Sequence, residues 1–345
     1  MPTTSSPSLD RRSLLKYGLG ALATGTVLSG CSAQAEPLAD RTHVVRYQGW
    51  SGQVLFHELA EDLGLLDGLH LNWIGNTTSG PQDIQATLTG DIDVGGAFNG
   101  AIIRLAAIGA PLKAVHSYYG ADPLTLCGFY VPEGSPIRGP RDLIGKTVGV
   151  NTLGAHHEDV LHMYLERGGL SPEEIQSVQL VVVPPVSAEQ ALRSGQMDVA
   201  ALSDYRRDKA LARGGLRELF SDYQLLGSFS AGCYLVRTSF LTENPDTTRK
   251  LVAGTARAIR WAQTQPREVV VQRMIDIIRR RGRNEDDSSV RYWKSTGIAG
   301  PGGIIYDREF RIWKQRCEVD GRIPPNGVSV ADLYTNDFNP YRTTG

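Results

Sequence analysis

The sequence has no CxxC pair, no GxSxG turn and no HExxH helix motif, and each absence removes a class of chemistry. Its four cysteines, Cys31, Cys127, Cys233 and Cys317, stand far apart, which excludes a zinc ribbon or a thioredoxin-type motif. Without a nucleophile elbow a serine-hydrolase reading has no anchor. An excess of either charge is missing too. The chain carries 36 Lys and Arg against 37 Asp and Glu, mixed along its length, so no extended basic surface awaits a phosphate backbone. Nucleic acid is not an expected partner, and neither a metal nor a cofactor is expected. Nor is there a run of roughly 20 apolar residues to span a bilayer; the stretch from Tyr17 to Gly30 is uncharged but broken by glycine and threonine.

That stretch does carry an order. Arg11 and Arg12 precede it and "LSGC" closes it, the arrangement of an export signal that is removed from the mature chain. Leu28-Ser29-Gly30-Cys31 resembles a bacterial lipobox, in which the cysteine becomes the acylated first residue, and the arginine pair with Leu14, Leu15 and Lys16 resembles a twin-arginine translocation signal. Residues 1–30 are therefore expected to be cleaved, with residues 31–42 as lipidated N-terminus and tether. Cleavage removes three cations against one acid and moves the formal charge from -1 to -3. About 315 residues remain, more than one core usually serves, so two lobes are expected.

Two segments echo one another at an offset of 105: "IQATLTGDIDVGGAF" from Ile84 and "EQALRSGQMDVAALS" from Glu189. The same offset pairs Gly90 with Gly195, Asp93 with Asp198, Gly49 with Gly154 and His57 with His162. This spacing is too long for a solenoid and fits two related lobes. Each copy alternates strands and helices. "THVVRYQ" leads through "GWSG" into a helix carrying Leu55, Leu59 and Leu63; "KTVGVN" leads through "TLGA" into one carrying Val160, Leu161, Tyr164 and Leu165. Ser171-Pro172-Glu173-Glu174 has the pattern of a capping box. "VQLVVVPP" is apolar on both faces, as in the middle of a parallel sheet. The fold class is α/β, with two Rossmann-like lobes and a ligand cleft between them.

In open α/β sheets ligands sit beyond the carboxyl ends of strands. The turns expected at the cleft are Gln48, Gly49, Trp50 and Ser51 in the first lobe, and Thr152, Leu153, Gly154, Ala155 and His156 in the second. The next strand ends add Asn99 and Asp204, again 105 apart. Trp50, Phe98, Tyr118 and Tyr119 fall at or just after strand ends, and their convergence points to an organic ligand with a flat or greasy body. Asp204 is a candidate acceptor for a ligand N–H. Gly154 would let the backbone approach a polar or anionic head group, with the following helix offering N–H donors.

The ordered set "GWSG", "LTGDIDVGGAF", "AAIGAPLKAV", "SPIRGPRDLIGKTVGV" and "GRIPPNGVSVADLY" resembles the solute-binding proteins of bacterial ABC importers in the sulfonate, nitrate, taurine and thiamine-precursor group. The resemblance implies the type II periplasmic binding protein fold, with mixed sheets joined by hinge strands. It implies lobe 1 from residues 43–122 plus 236–345 and lobe 2 from 123–235. It further implies an exported monomer, held on the outer face of the cytoplasmic membrane by its lipid alone. Such a receptor delivers a small organic solute, whether sulfonate-like, otherwise anionic or aromatic and heterocyclic, to an ABC permease and its ATPase and is not an enzyme; a pyrimidine-precursor-type enzyme or a ligand sensor is the alternative on the same fold. Family architecture brings the hinge-side strands together, implying a Cys127–Cys233 disulfide with Cys317 free. Sulfonate binders of the family commonly carry hydroxyls in the turn where this chain has Thr152 to His156, and only Thr152 supplies one.

"HHEDVLH" does not make a metal site, because His157 and His162 lie five residues apart, about 500° of helix and so about 140° apart around it. At the start of a helix the positive dipole end disfavours imidazolium, so His156 is expected to stay neutral, either orienting a ligand or serving as a solvent-facing or hinge-packing histidine. His157 is expected to be structural and His162 to pack or face solvent.

Overall fold

The computed structural model describes residues 43–342; the export signal, Cys31 and the tether lie outside the described residues. The chain begins β1 (Val44–Gly49), α1 (Phe56–Asp62), β2 (His70–Asn76), α2 (Gly80–Thr89), β3 (Val94–Phe98), α3 (Asn99–Ala107) and β4 (Leu112–Ala121). It continues β5 (Gly128–Pro132), β6 (Thr147–Val150), α4 (His156–Arg167), α5 (Pro172–Gln176), β7 (Gln179–Val182), α6 (Ala188–Arg193), β8 (Val199–Leu202), α7 (Asp204–Ala212), β9 (Leu216–Ser221) and α8 (Asp222–Leu226). It closes with β10 (Phe229–Arg237), α9 (Thr238–Glu243), α10 (Pro245–Thr264), α11 (Arg267–Arg280), α12 (Asp307–Val319) and α13 (Val330–Leu333).

Two five-stranded mixed sheets result, in the orders β2-β1-β3-β10-β4 and β7-β6-β8-β5-β9. The orders are equivalent, each with two parallel pairings and an antiparallel strand inserted beside the third. The repeated motif explains why. Gly90 and Gly195 both take positive φ, 84° and 73°, ending α2 and the turn after α6 where a side chain would be strained. Asp93 then accepts from Arg46 N at 2.9 Å, and Asp198 from Thr147 N at 2.9 Å. Each aspartate thus pins the entry of its own strand to the start of the neighbouring parallel one.

Three expectations need correction. β10 belongs to the first sheet, so the chain has returned to lobe 1 by Phe229 and not at residue 236: β10 pairs antiparallel with both β3 and β4. Cys127 and Cys233 are both free and buried, as is Cys317. Cys127 lies in the outgoing crossing, whereas Cys233 sits mid-strand in β10, opposite Ala97 and Ser117. The apolar strand β7 forms an edge of the second sheet, with Val182 57 % exposed; its apolar run continues into a surface turn. By contrast the Ser171 capping box forms as expected, with Ser171 N donating to Glu174 Oε2 at 2.8 Å and Glu174 N to Ser171 Oγ at 3.3 Å.

The crossings, residues 122–127 and 222–228, are tied to each other. Cys127 N donates to Asp222 Oδ1 at 3.0 Å, and Asp222 N donates to Cys127 O at 3.0 Å. This places a buried carboxylate at the base of the gap between the lobes.

Candidate functional site

The gap is a cleft of about 200 Å³ with a predominantly apolar lining. Trp50, Phe56, Phe98, Tyr118 and Tyr119 line it from lobe 1, with Trp293 and Lys294 arriving from the segment after α11. Lobe 2 contributes Asn151, Ala155, His156, Ser203, Asp204 and Arg206, and Asp222 stands at the crossing. Tyr118 stacks on Tyr234 with ring centres 4.4 Å apart and meets Tyr119 edge-on at 4.8 Å, so these rings form a braced wall. Burial raises both tyrosine hydroxyls well above their ordinary pKa and keeps them as neutral donors.

His156 begins α4, as the sequence predicts. Its ring enters an aromatic socket from lobe 1: stacked on Phe98 at 5.3 Å, with Tyr119 at 5.8 Å, Phe229 at 6.0 Å and Trp313 at 6.1 Å. Nε2 pairs with Asp222 Oδ2 at 3.3 Å, and neither atom completes an aligned hydrogen bond among the described residues. His157 also lines the cleft, yet its ring is committed. Nδ1 accepts from Asn151 N at 3.4 Å and Nε2 lies 3.1 Å from Ser203 Oγ, which joins the turn after β6 to the turn after β8. Burial first, and His156 after it, push its pKa down to about 3. It is a neutral structural crosslink.

Asp204 lines the cleft from a strained backbone, φ 52°. Its carboxylate accepts from Arg206 N at 2.8 Å and Arg206 Nη1 at 3.1 Å; burial raises its pKa and Arg206 opposes that rise. Arg206 Nη2 crosses to Ser51 O at 2.9 Å and Tyr205 Oη to Gly52 O at 2.9 Å, so α7 clasps the turn after β1. Lys209 donates to Ser288 Oγ at 2.7 Å, and Lys294 to Asp208 at 2.9 Å.

Trp50, Phe98, Tyr118, Tyr119, Ala155, His156 and Asp204 therefore meet at the cleft; Gln48, Gly49, Ser51, Asn99, Thr152, Leu153 and Gly154 do not line it. The expected cradle at Gly154 is filled from within the chain. Its N–H donates to Glu158 Oε2 at 2.7 Å, and its carbonyl accepts from Arg104 Nη2 of α3. Gly154 adopts φ 66° to make this turn, and Leu153 is 53 % exposed. The pairing of Gly49 with Gly154 fails because β1 ends at Gly49 whereas β6 ends four residues before Gly154. Asn99 is wholly buried, with Nδ2 donating to Ser230 O at 3.3 Å and Glu309 O at 3.2 Å. Gln48 Oε1 is buried without a partner among the described residues, and Ser51 offers its carbonyl to Arg206. Among the residues not foreseen, Asp222 had a legible signal: Ser221-Asp222-Tyr223-Gln224 is a capping box directly after a strand. Trp293 and Lys294 had none.

Two like-ordered α/β sheets facing each other across a lined cleft, with the chain crossing twice, are the architecture of the periplasmic binding proteins. The chain belongs to the NMT1/THI5 like family, whose model matches residues 67–269. It is similar to a putative aliphatic sulfonates-binding protein of Escherichia coli (strain K12), with 30% identity over 240 residues, 68% of this chain and 69% of that protein. The structure resembles that of the periplasmic aliphatic sulphonate binding protein SsuA from Escherichia coli, with TM-score 0.63 at 19% identity, covering 85% of this chain and 92% of the other. A desulfurization enzyme, DSZB, shares the fold, with TM-score 0.58 at 16% identity over 86% of this chain and 97% of the other.

Proposed function

We propose that the protein is an extracytoplasmic substrate-binding lipoprotein of an ABC importer. It captures a small organic solute between its lobes and hands it to the permease. The observation that carries this reading is the aromatic cleft of about 200 Å³, walled by Trp50, Phe98, Tyr118 and Tyr119 on one side and by His156 and Asp204 on the other. Pockets of this make hold a ligand's body on apolar surface and orient it with a few polar groups. The relative described as binding aliphatic sulfonates supports the receptor role. Anchoring at Cys31 keeps the mature chain beside the permease.

The desulfurization enzyme on the same fold raises catalysis as the alternative reading, and Cys127 is the thiol that lines the cleft. Its surroundings oppose a thiolate nucleophile: burial first, then the Asp222 carboxylate, raise its pKa well above the ordinary value. The test is mass spectrometry of the small molecule carried through native purification and again after incubation. A chemically unchanged, stoichiometric solute is expected; conversion to a product would replace the receptor by an enzyme. Cys31→Ala is expected to release the protein from the membrane fraction, and full retention there would remove the lipid anchor from the reading.

A further inference from the structure

The lobes touch on both flanks of the cleft, and the two flanks are built differently. On one, α4 lies along lobe 1. His156, Asp159, Met163 and Glu166 follow at spacings of three, four and three, which puts them on one face of the helix, and each meets lobe 1. His156 fills the socket of Phe98, Tyr119, Phe229 and Trp313. Asp159 is 0 % exposed; it accepts from Arg322 Nη1 and stands 3.6 Å from Arg104 Nη1. Met163 belongs to the apolar cluster that holds Trp313, Cys317 and Ile323, and Glu166 takes both Nη atoms of Arg316 at 2.7 Å. The helices are so close that a Cβ on Gly100 of α3 would sit 3.2 Å from Asp159 Oδ2. Parting this flank would strip a buried carboxylate of its cations and open a continuous apolar core.

On the other flank α7 meets the turn after β1 and the segment after α11 through the tips of its side chains. Arg206 Nη2 donates to Ser51 O and Tyr205 Oη to Gly52 O, each at 2.9 Å. Lys209 Nζ donates to Ser288 Oγ at 2.7 Å and Ser289 Oγ at 3.2 Å, and Lys294, 44 % exposed at its side chain, pairs with Asp208 at 2.9 Å. Links of this kind lie near solvent, contribute little each and are screened by salt. Tyr205 is buried in the lobe 1 cluster that holds Val290 and Trp293; beyond it α7 buries only Asp208 and Ala210. The helix also starts from Asp204 at φ 52°, a conformation that a residue other than glycine holds at a cost. The clasp of α7 is thus kept against backbone strain.

Taking the cleft as the solute site, we infer that the lobes part on one side only: α4 is a standing seam between them, and α7 is a latch that releases the turn after β1 and the segment after α11 to let a solute in. Arg206 and Lys209 are the residues that hold the latch shut.

The chain carries its own reporters, three free and buried thiols. Cys127 lines the cleft, Cys317 lies under the α4 flank with Sγ 3.9 Å from Arg104 Nη1, and Cys233 sits mid-strand in β10. Labelling of the mature chain with N-ethylmaleimide at one pH, read site by site by peptide mass spectrometry, therefore separates opening of the cleft, opening of the seam and unfolding. Arg206→Met with Lys209→Met is expected to speed Cys127 about tenfold or more and to leave Cys317 and Cys233 unchanged. Neither residue is among the groups that shift the Cys127 thiol, so the change reads access. Raising sodium chloride from about 0.1 M to about 1 M is expected to speed Cys127 in the wild-type protein about threefold, again alone. Glu166→Gln, which cuts the fork to Arg316 at the seam, is expected to move no rate by more than about twofold. Three results overturn the one-sided opening: a Cys127 rate indifferent to the α7 variant and to salt, Cys317 rising together with Cys127, or Cys127 responding to Glu166→Gln as strongly as to the α7 variant. An α7 variant that also labels at Cys233 has unfolded, and the salt series on the wild-type protein then decides. The labelling needs no solute, so its failure leaves the receptor reading standing, whereas a chemically converted solute overturns that reading and leaves the latch.

Discussion

Asn99 opens α3 after β3 and Asp204 opens α7 after β8, at matching points of the two lobes, yet Asn99 is wholly buried while Asp204 lines the cleft from a left-handed backbone. Asn99 spends its amide on two carbonyls of lobe 1 itself, Ser230 O and Glu309 O. Asp204 spends its carboxylate on Arg206, which reaches across to Ser51 O. The same topological place thus supports a core in one lobe and a binding surface in the other. Lobe 1 supplies rigid aromatic walls, braced by polar groups behind them. Polar groups cross from both lobes, Arg206 and Tyr205 from lobe 2, Arg104 and Lys294 from lobe 1.

The largest expected break in this comparison comes from acid. In lobe 1, burial holds His57 and His116 down to about 3, with Arg283 and His57 respectively adding to the effect. No ring nitrogen of either has a hydrogen-bond partner among the described residues. Lobe 2 buries His157 alone in this state, at about 3, with both ring nitrogens engaged. The unfolded chain takes up these protons near the ordinary 6.5, so the stability is complete above that value and is lost as pH falls toward 3. Asp83 acts oppositely: burial raises it from 3.8 to about 7, and its contribution, full below 3.8, is lost as pH rises toward 7. Between these limits the three histidines and Asp83 together bind two more protons in the unfolded chain, and their share is a loss of about 2.7 kcal/mol for each pH unit of acidification. Urea titrations between about pH 7 and about pH 5 read this slope. Replacing His57 and His116 by Leu together should flatten it, because His157 and Asp83 then cancel; an unchanged slope would place the acid lability outside lobe 1.

Next in size is a direct exchange at the matched positions. Asn99→Ala strands two buried carbonyls and is expected to cost about 2 to 4 kcal/mol in urea unfolding. Asp204→Gly relieves the positive φ and is expected to stay within about 1 kcal/mol of the wild type. Equal costs would erase the distinction between core and surface.

Binding tests come third. Trp50→Ala removes a wall ring and is expected to weaken binding of the solute carried through native purification about tenfold or more in calorimetry, with a smaller change in stability. The smallest effect is expected at Ser51, which is exposed and contributes only its carbonyl across the cleft. Ser51→Ala should change stability by less than about 0.5 kcal/mol and leave binding of that solute unaltered; a large loss of affinity would return the hydroxyl to the site.

The two-lobed plan was legible because Gly90 with Gly195, and Asp93 with Asp198, repeat a turn and a strand brace whose physics is local. The aromatic wall was legible because Trp50 and Phe98 sit where β1 and β3 end; Tyr118 and Tyr119 lie inside β4, near its last residues. The turn at Gly154 misled because one offset was carried across loops of different length, and because a glycine's freedom says nothing about what fills the space it opens. Here Glu158 and Arg104 fill it. Trp293 and Lys294 could not be found by pattern at all, since they reach the cleft from a segment without periodicity. The misplaced boundary at residue 236 has a related cause: Phe229 to Val236 is buried throughout, and nothing in such a run says which of two sheets it joins.

The position of β10 also sets an order of events as the chain folds. Lobe 2's sheet is built from consecutive strands, β5 to β9, all available once Ser221 has been made. Lobe 1's sheet is split: β3 and β4 are neighbours only through β10, which pairs Phe98 with Gly232 and Leu112 with Arg237. Until that strand arrives, β4 has no neighbour in the sheet and the edge of β3 stands open. Closing such distant pairs carries a loop-entropy cost before their contacts can repay it. The inserted lobe therefore has every strand of its sheet in one stretch of chain, whereas the lobe that begins the described chain needs β10 before its own sheet is complete.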